Sequence, residues 1–383
     1  MDKLAIVLFG LSALYIAYVL FGYPLLLAGL ARRASKPVQK RLEFKTVSIL
    51  LPVRNGERWI WDKLNSILEL NYPRELMEII VVSDGSRDRT EELVEEFAPQ
   101  GVELVRISKS GKAVALNRAL ERARGEIVFF TDVRQLLDPE SLRNLVACFA
   151  DPSVGAASGE LIILASDSRE EANVGLYWQY EKWIRKGLSR IDSVLGATGS
   201  IYAMRRSLVT SLPADTLLDD VHLPLAAFFR GYRVILEETA KAFDYPTSLE
   251  TEFRRKVRTL AGVYQTIGAY PALLGPSNRM WIHFFSHKLG RLILPFALLV
   301  LALSSFGLPG ICGWAAPAGQ AAFYALAVLD LWIPEAWLLK RLSSPVRTFV
   351  VLMAAAFCAA SFLVSPGRDL WKETRVSAGK RQS

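Results

Sequence analysis

Cysteine is scarce in this 383-residue chain. Cys148, Cys312 and Cys358 stand far apart in apolar surroundings, without the spacing of a zinc site or a disulfide framework. Two phosphate cradles are missing as well. No G-x-G-x-x-G follows the first strand-like run, and no Walker A lysine motif occurs anywhere. Dinucleotide and P-loop chemistry therefore lack their usual anchor. Charge is absent from two long stretches, Leu4 to Leu30 and Leu292 to Leu329. Roughly 20 consecutive apolar residues suffice to cross the hydrocarbon of a bilayer.

The first stretch is followed by "RRASKPVQKR", so it reads as a membrane span with a cytoplasmic flank. A cleaved signal peptide is the alternative, but its apolar region would be shorter and would end in a small-residue cleavage site. The second stretch is too long for one crossing. "GLPGICGWAAPAG" marks a turn in its middle, giving two spans, and Thr348 to Val364 adds another. Just upstream, "NRMWIHFFSHKLGR" places Trp281, Phe284, Phe285, Lys288 and Leu289 at helical spacing, the pattern of an interfacial helix. His283 and His287 share that helix but have no carboxylate motif beside them, so they read as headgroup-level residues rather than metal ligands.

The expected organisation is a transmembrane helix at 4–30, a soluble domain at 45–270, an interfacial helix at 278–291, about three helices over 292–365 and a basic tail at 366–383. The mean hydropathy of +0.24 averages a globular middle with lipid-embedded ends. A net charge of +8 is of the sign that nucleic-acid binders carry, yet the excess lies beside the spans. Arg32, Arg33, Lys36, Lys40 and Arg41 follow the first; Lys288 and Arg291 precede the second; Lys340, Arg341 and Arg347 precede the last. Such flanks orient membrane proteins, so membrane lipids are the expected partner and nucleic acid is not. They place the central domain in the cytoplasm, at a bacterial-type inner membrane. Four crossings would leave the basic tail outside, against the same rule. An exported tail and an apolar segment that does not cross both remain open.

Between the spans, β-type runs alternate with helical ones: "VSILLPV" then Trp59 to Leu70, "EIIVVSD" then "DRTEELVEEF", "VELVRIS" then "KAVALNRALERA", "EIVFFTD" then "PESLRNLVACF". The alternation predicts α/β architecture: a Rossmann-like, mostly parallel sheet covered by helices on both faces. Ligands in such sheets bind outside the carboxyl ends of the strands. Polar residues gather there at Pro52 to Asn55, Ser83 to Ser86, and Thr131 with Asp132.

Along the chain come "SDGSRDRT", "GKAVALN", "TDVRQ", "GATGSIYAMRRSL", "LLDDVHLPL" and "FRRKVRTLAG". Each is weak alone; an ordinary strand-to-helix turn accounts for the first equally well. Their joint order resembles the membrane-integrated family 2 glycosyltransferases, the group of cellulose, hyaluronan and poly-N-acetylglucosamine synthases. The resemblance covers about residues 45 to 270 and implies a GT-A fold. It implies an inverting enzyme taking a sugar from a nucleotide diphosphate sugar to a glycan or lipid-linked acceptor.

On this resemblance Asp84 binds the nucleoside, with Pro52, Val53, Arg54 and Asn55 lining the other side and Lys112 and Asn117 at the donor pocket. The strand-end motif of the family is Asp-x-Asp, whose carboxylates hold Mg2+ or Mn2+ against the diphosphate. Here Thr131 and Asp132 are followed by Arg134 in the second acidic position. One carboxylate remains a workable ligand for such an ion, and Arg134 is expected to turn toward the diphosphate. Asp219 and Asp220 match the acidic pair before a helix, with Asp220 as general base and Asp219 beside the acceptor. "FRRKVRTLAG" stands where the family has Gln-x-x-Arg-Trp: Arg255 replaces Gln, Arg258 matches, and Thr259 replaces Trp. The two arginines are expected to steady the leaving diphosphate. The missing tryptophan puts polymerisation in doubt. A member of the family that binds nucleotide sugar without turning it over is the alternative.

Overall fold

The computed structural model describes residues 2–164, 169–245, 247–334 and 337–363. The basic tail at 366–383 lies outside them. Two compact units divide the chain. One comprises Leu30–Leu164 with Lys182–Tyr245, the other Met1–Gly29, Ala165–Glu181 and Pro246–Ser383.

The chain opens on α1 (Asp2–Ala17), which passes through a π-type turn at Tyr18–Gly22 into α2 (Tyr23–Arg33). Lys3–Arg33 is one of four helices long and apolar enough to cross a membrane; the others are Trp281–Ser305, Cys312–Leu329 and Lys340–Leu363. Their exterior is apolar, with Leu14, Phe21, Leu25, Leu303 and Leu342 all well exposed. Polar side chains work between helices instead. Tyr18 and Ser286 hydroxyls lie 2.7 Å apart, tying the first span to the second. The buried Asp330 accepts from Ser343 Oγ at 2.6 Å and pairs with Lys340 at 3.1 Å, which closes the hairpin of the last two. An ionised group away from water persists when it is paired in this way.

The first of the two units holds the sheet. Its strands are β1 (Val47–Val53), β2 (Met77–Asp84), β3 (Val102–Ile107), β4 (Ile127–Thr131), β5 (Leu136–Leu137), β6 (Val154–Ile163), β7 (Ile201–Arg205) and β8 (Arg233–Asp244). Their spatial order is β3-β2-β1-β4-β7-β6-β8-β5. β1 pairs parallel with β2 on one side and β4 on the other, and β2 with β3. A strand flanked and covered on all sides is apolar throughout rather than alternating, which is why "VSILLPV" and "IVFFT" read as unbroken runs.

Helices α3 (Glu57–Leu68), α4 (Thr90–Glu95), α5 (Lys112–Leu120) and α6 (Ser141–Ala147) follow the first four long strands. The other half of the sheet is mixed. β7 runs antiparallel to both β4 and β6, while β6 and β8 are parallel. These strands escape the alternation of βα repeats. β6, "VGAASGELII", is rich in small residues of weak strand preference and owes its form to its neighbours. Because β7 begins opposite the end of β4, with Ile201 paired to Thr131, the turn before β7 stands at the same edge where β1, β2 and β4 finish. α7 (Arg169–Ile191) crosses from the other unit into this one, and α8 (Asp219–Phe229) leads into β8. α9 (Leu249–Ala269), capped by Ser248 Oγ accepting from Thr251 N, belongs to the other unit.

Phe129 is fully buried at the centre of the core. Phe129→Ala is expected to cost about 3–5 kcal/mol through lost burial and the cavity left behind. A thermal melt of the detergent-solubilised protein that stays unchanged would contradict this packing.

Candidate active site

β4 delivers the site. Ile127 to Phe130 are buried and carry the chain to Thr131, whose hydroxyl accepts from Lys63 Nζ at 2.7 Å and donates to Ser200 O at 2.8 Å. Lys63 Nζ also donates to Gln135 O at 2.6 Å. The segment between is pinned at both ends, and the partly exposed Asp132 stands between the pins. Lys63 is itself wholly buried, and burial lowers its pKa to about 7 although the Asp132 charge opposes the shift.

Lys112 opens α5 and reaches across to this carboxylate. Its Nζ lies 2.9 Å from Asp132 Oδ1 and 3.1 Å from Asp219 Oδ1. Burial alone would lower its pKa, but Asp132, Asp219 and Asp220 together outweigh it and hold the ammonium protonated far above the usual lysine range. Asp219 and Asp220 start α8, where free backbone N–H groups favour negative charge. Asp219 is buried and Asp220 partly exposed.

The Gly196–Ser200 turn cups Asp220. Ala197 N donates to Asp220 O at 2.7 Å, and a Cβ on Gly199 would come within 3.0 Å of Asp220 Oδ2. Tyr202 stacks on Phe130 with ring centroids 4.4 Å apart. Burial, then the charges of Asp219, Asp220 and Asp132, push the Tyr202 phenol well above its usual range, so it stays a neutral donor. Among the described residues its buried hydroxyl has no hydrogen-bond partner.

The expected donor residues occupy the same edge with distinct tasks. Asp84 accepts from Ser110 N at 2.5 Å and Gly111 N at 3.0 Å, fixing the loop that leads into Lys112. Gly85 follows at φ +62°, where a Cβ would meet Lys109 N at 2.7 Å. Pro52 and Val53 end β1, and Arg54 is exposed. Asn55, at φ +50°, accepts from Arg87 N at 2.9 Å and donates from its own N to Ser86 Oγ at 3.1 Å, joining the turns after β1 and β2.

Three residues turn to the protein instead. Asn117 uses both amide atoms on the backbone of Leu212, at 2.8 and 2.9 Å. The Thr131 hydroxyl is taken up as described. Arg134, expected to face a diphosphate, engages the buried Asp244 at the end of β8, a carboxylate that also accepts from Gln135 Nε2 at 2.8 Å. A guanidinium in partial burial goes where a buried carboxylate compensates it. Arg255 and Arg258 lie on α9, in the other unit. There Arg255 sits over the Trp178 ring, 4.4 Å from its centroid, with its Nε 3.6 Å from Glu252.

Sequence reasoning missed Lys63, Tyr202 and Arg185. Lys63 had a signal: Ile60, Lys63, Leu64 and Ile67 share one helical face, and a lysine amid apolar residues of a buried face is out of place.

Among the described residues no three His, Cys, Asp or Glu side chains cluster as a ready-made metal cage. The donor set nonetheless fits a hard divalent ion bound through few protein ligands. Oδ1 of the partly exposed Asp132 carboxylate is engaged by Lys112, and the neutral Tyr202 hydroxyl lies within electrostatic reach of the same carboxylate. Mg2+ commonly binds through one or two carboxylates, completing its shell with phosphate and water.

The half-parallel, half-mixed α/β sheet with its acidic carboxyl edge is a GT-A-like fold. Residues 48–212 match the family described as Glycosyl transferase family 2, so this part of the chain is a glycosyltransferase domain of that family. The N-acetylglucosaminyltransferase of Mesorhizobium japonicum is 27% identical over 295 residues, 71% of this chain and 68% of that protein. The poly-beta-1,6-N-acetyl-D-glucosamine synthase of Staphylococcus aureus (strain COL) is 25% identical over 235 residues, 59% of this chain. The chain spans 56% of that relative's length. A solved mannosyltransferase from Pyrobaculum calidifontis superposes with a TM-score of 0.73 at 25% identity, covering 94% of this chain and 100% of that one.

The buried Lys63 has a consequence for stability. Its folded pKa, about 7, lies below the ordinary lysine value of 10.5. Between these values the unfolded chain holds a proton that the folded chain lacks, so this side chain makes folding more favourable as pH rises through that window. Unfolding midpoints of wild type and Lys63→Met, measured from pH 7 to 10, are therefore expected to diverge in favour of wild type. Parallel curves would mean that Lys63 stays protonated when folded.

Proposed function

We propose that the protein is a membrane-embedded inverting glycosyltransferase. It transfers a sugar from a nucleotide diphosphate sugar to a hydroxyl of a glycan or lipid-linked acceptor, in polysaccharide synthesis. The observation that carries this reading is Lys112 held between Asp132 and Asp219, with Asp220 next in the chain, at the edge where open α/β sheets bind ligands. The names of the relatives support it. One is an N-acetylglucosaminyltransferase, another a poly-beta-1,6-N-acetyl-D-glucosamine synthase, and the mannosyltransferase was solved with GDP-Man and Mn2+.

In this mechanism Asp84 and the Pro52 to Asn55 turn receive the nucleoside. Asp132 would hold Mg2+ or Mn2+, an ion that would supply positive charge against the leaving diphosphate. Asp220 accepts the proton of the acceptor hydroxyl, whose oxygen bonds to the anomeric carbon as the bond from that carbon to the diphosphate oxygen breaks. A single displacement of this kind inverts the anomeric centre. Lys112 keeps Asp132 and Asp219 in register while remaining protonated. The 45–270 domain works in the cytoplasm, the 278–291 helix rests in the interface, and 4–30 with 292–365 anchor the enzyme in an inner membrane.

Membranes carrying the protein, supplied with radiolabelled UDP-GlcNAc, UDP-glucose and GDP-mannose in turn, would reveal the donor, and sizing the product would separate single transfer from polymerisation. Asp220→Asn is expected to lower transfer by about 10²–10⁴-fold, the range of general-base catalysis, with nucleotide binding retained. Full activity in that variant would sink the assignment. Chelation with EDTA is expected to abolish transfer and added Mn2+ or Mg2+ to restore it; turnover indifferent to both treatments would remove the metal from the scheme.

A further inference from the structure

Arg185 lies on the part of α7 that belongs to the sheet-bearing unit. Its Nη1 donates to Thr198 Oγ1 at 2.8 Å, and its Nη2 to Ser158 Oγ at 2.9 Å and Gly196 O at 3.4 Å. Ser158 Oγ in turn accepts from Thr198 N at 2.9 Å. One guanidinium thus grips both the start and the middle of the turn that cups Asp220. That turn needs holding, because Gly196 sits at φ +130°, a conformation side chains rarely adopt. The turn meets α8 at Asp220, by the Ala197 N–H to Asp220 O bond and the close approach of Gly199 to the carboxylate, and at Val221, against which Gly196 lies.

The charge of Arg185 is as telling as its bonds. All three acceptors are neutral, and among the described residues it makes no salt bridge within 4.0 Å. Burial lowers its pKa, and the charges that oppose the shift are Asp220 first and Glu160 second. Glu160 already pairs with Lys182 at 2.9 Å and Lys186 at 3.5 Å. Of the two carboxylates, Asp220 acts on this guanidinium the more strongly. Other charged or titratable groups near Asp220 include Lys112 on α5, Tyr202 on β7 and Asp219 on its own helix.

We propose that Arg185 is a positioning residue for Asp220: it fixes the carboxylate through the Gly196–Ser200 turn and favours the ionised form that takes up a proton. The catalytic part of this rests on Asp220 being the general base; the structural part does not. A neutral staple would hold the turn with hydrogen bonds alone, so charge and bonding are separable by substitution.

The test uses the full-length protein in nanodiscs as wild type, Arg185→Met, Arg185→Lys and Asp220→Asn. Hydrogen–deuterium exchange over residues 194–200 and 218–223 reads the tie without any turnover. Arg185→Met is expected to raise exchange at Ala197 and at the start of α8, and unchanged protection there overturns the proposal. With the UDP- or GDP-sugar that the wild type uses, Arg185→Met is expected to lower kcat by about 10- to 100-fold, as misplacement of a reacting group does, with donor KM unchanged. The acid limb of its kcat profile is expected to move to higher pH, and Arg185→Lys to recover that limb in part. A loss carried wholly in KM, or an acid limb that does not move, also overturns it. Full activity in Asp220→Asn refutes the assignment of the base instead, and the exchange result then still decides whether Arg185 orders Asp220.

Discussion

One ammonium holds the candidate site together. Lys112 joins a carboxylate from the end of β4 to one from the start of α8, residues separated by most of a hundred positions in sequence. Without a cation between them, Asp132, Asp219 and Asp220 would be left as a cluster of like charges at the sheet edge, and partly buried like charges do not tolerate one another. The surrounding structure can be read as the means of placing that nitrogen. Asp84 secures the loop ahead of Lys112 through Ser110 N and Gly111 N, and Asn117, further along the same helix, locks onto Leu212 in the segment that approaches α8.

The sheet arranges this economically. Parallel strands β1, β2 and β4 end on one edge, and the reversed β7 begins there, so a turn of glycines lies beside the carboxylates instead of at the far side of the domain. Behind that edge the polar groups are neutral or internally matched. Thr131 relays between Lys63 and Ser200, and Arg134 and Gln135 share Asp244. The replacement of an acidic residue by Arg134 thus trades a second carboxylate at the site for a tie between the β4 loop and the end of β8.

The parallel half of the sheet was legible because buried parallel strands declare themselves as apolar runs, and "VSILLPV" and "IVFFT" do so. β6, β7 and β8 were not read as strands, since "VGAASGELII" carries too little hydrophobicity and "RVILEETAKAFD" mixes charge into its length. Their pairing is decided by neighbours that no local window contains. Of the site, the acidic residues and Lys112 were legible as residue types in order, because ligand chemistry leaves short motifs. The direction of Arg134 and the amide of Asn117 were not, since each answers to a partner about a hundred residues away. Arg185 left no mark either: a basic residue on a long helix looks the same whether it faces water or a turn.

Lys63 and Lys112 both bond to the segment that follows β4, yet they answer differently to ionic strength. Lys63 is sealed from solvent and bonded to neutral oxygens, where mobile ions do not reach. Lys112 and Asp132 are partly open, and the Debye length shrinks to ~3 Å at molar salt. Added electrolyte therefore slackens the bridge across the cleft while leaving the clamp beneath it intact, so that the binding surface loses its electrostatic order before the domain loses its shape.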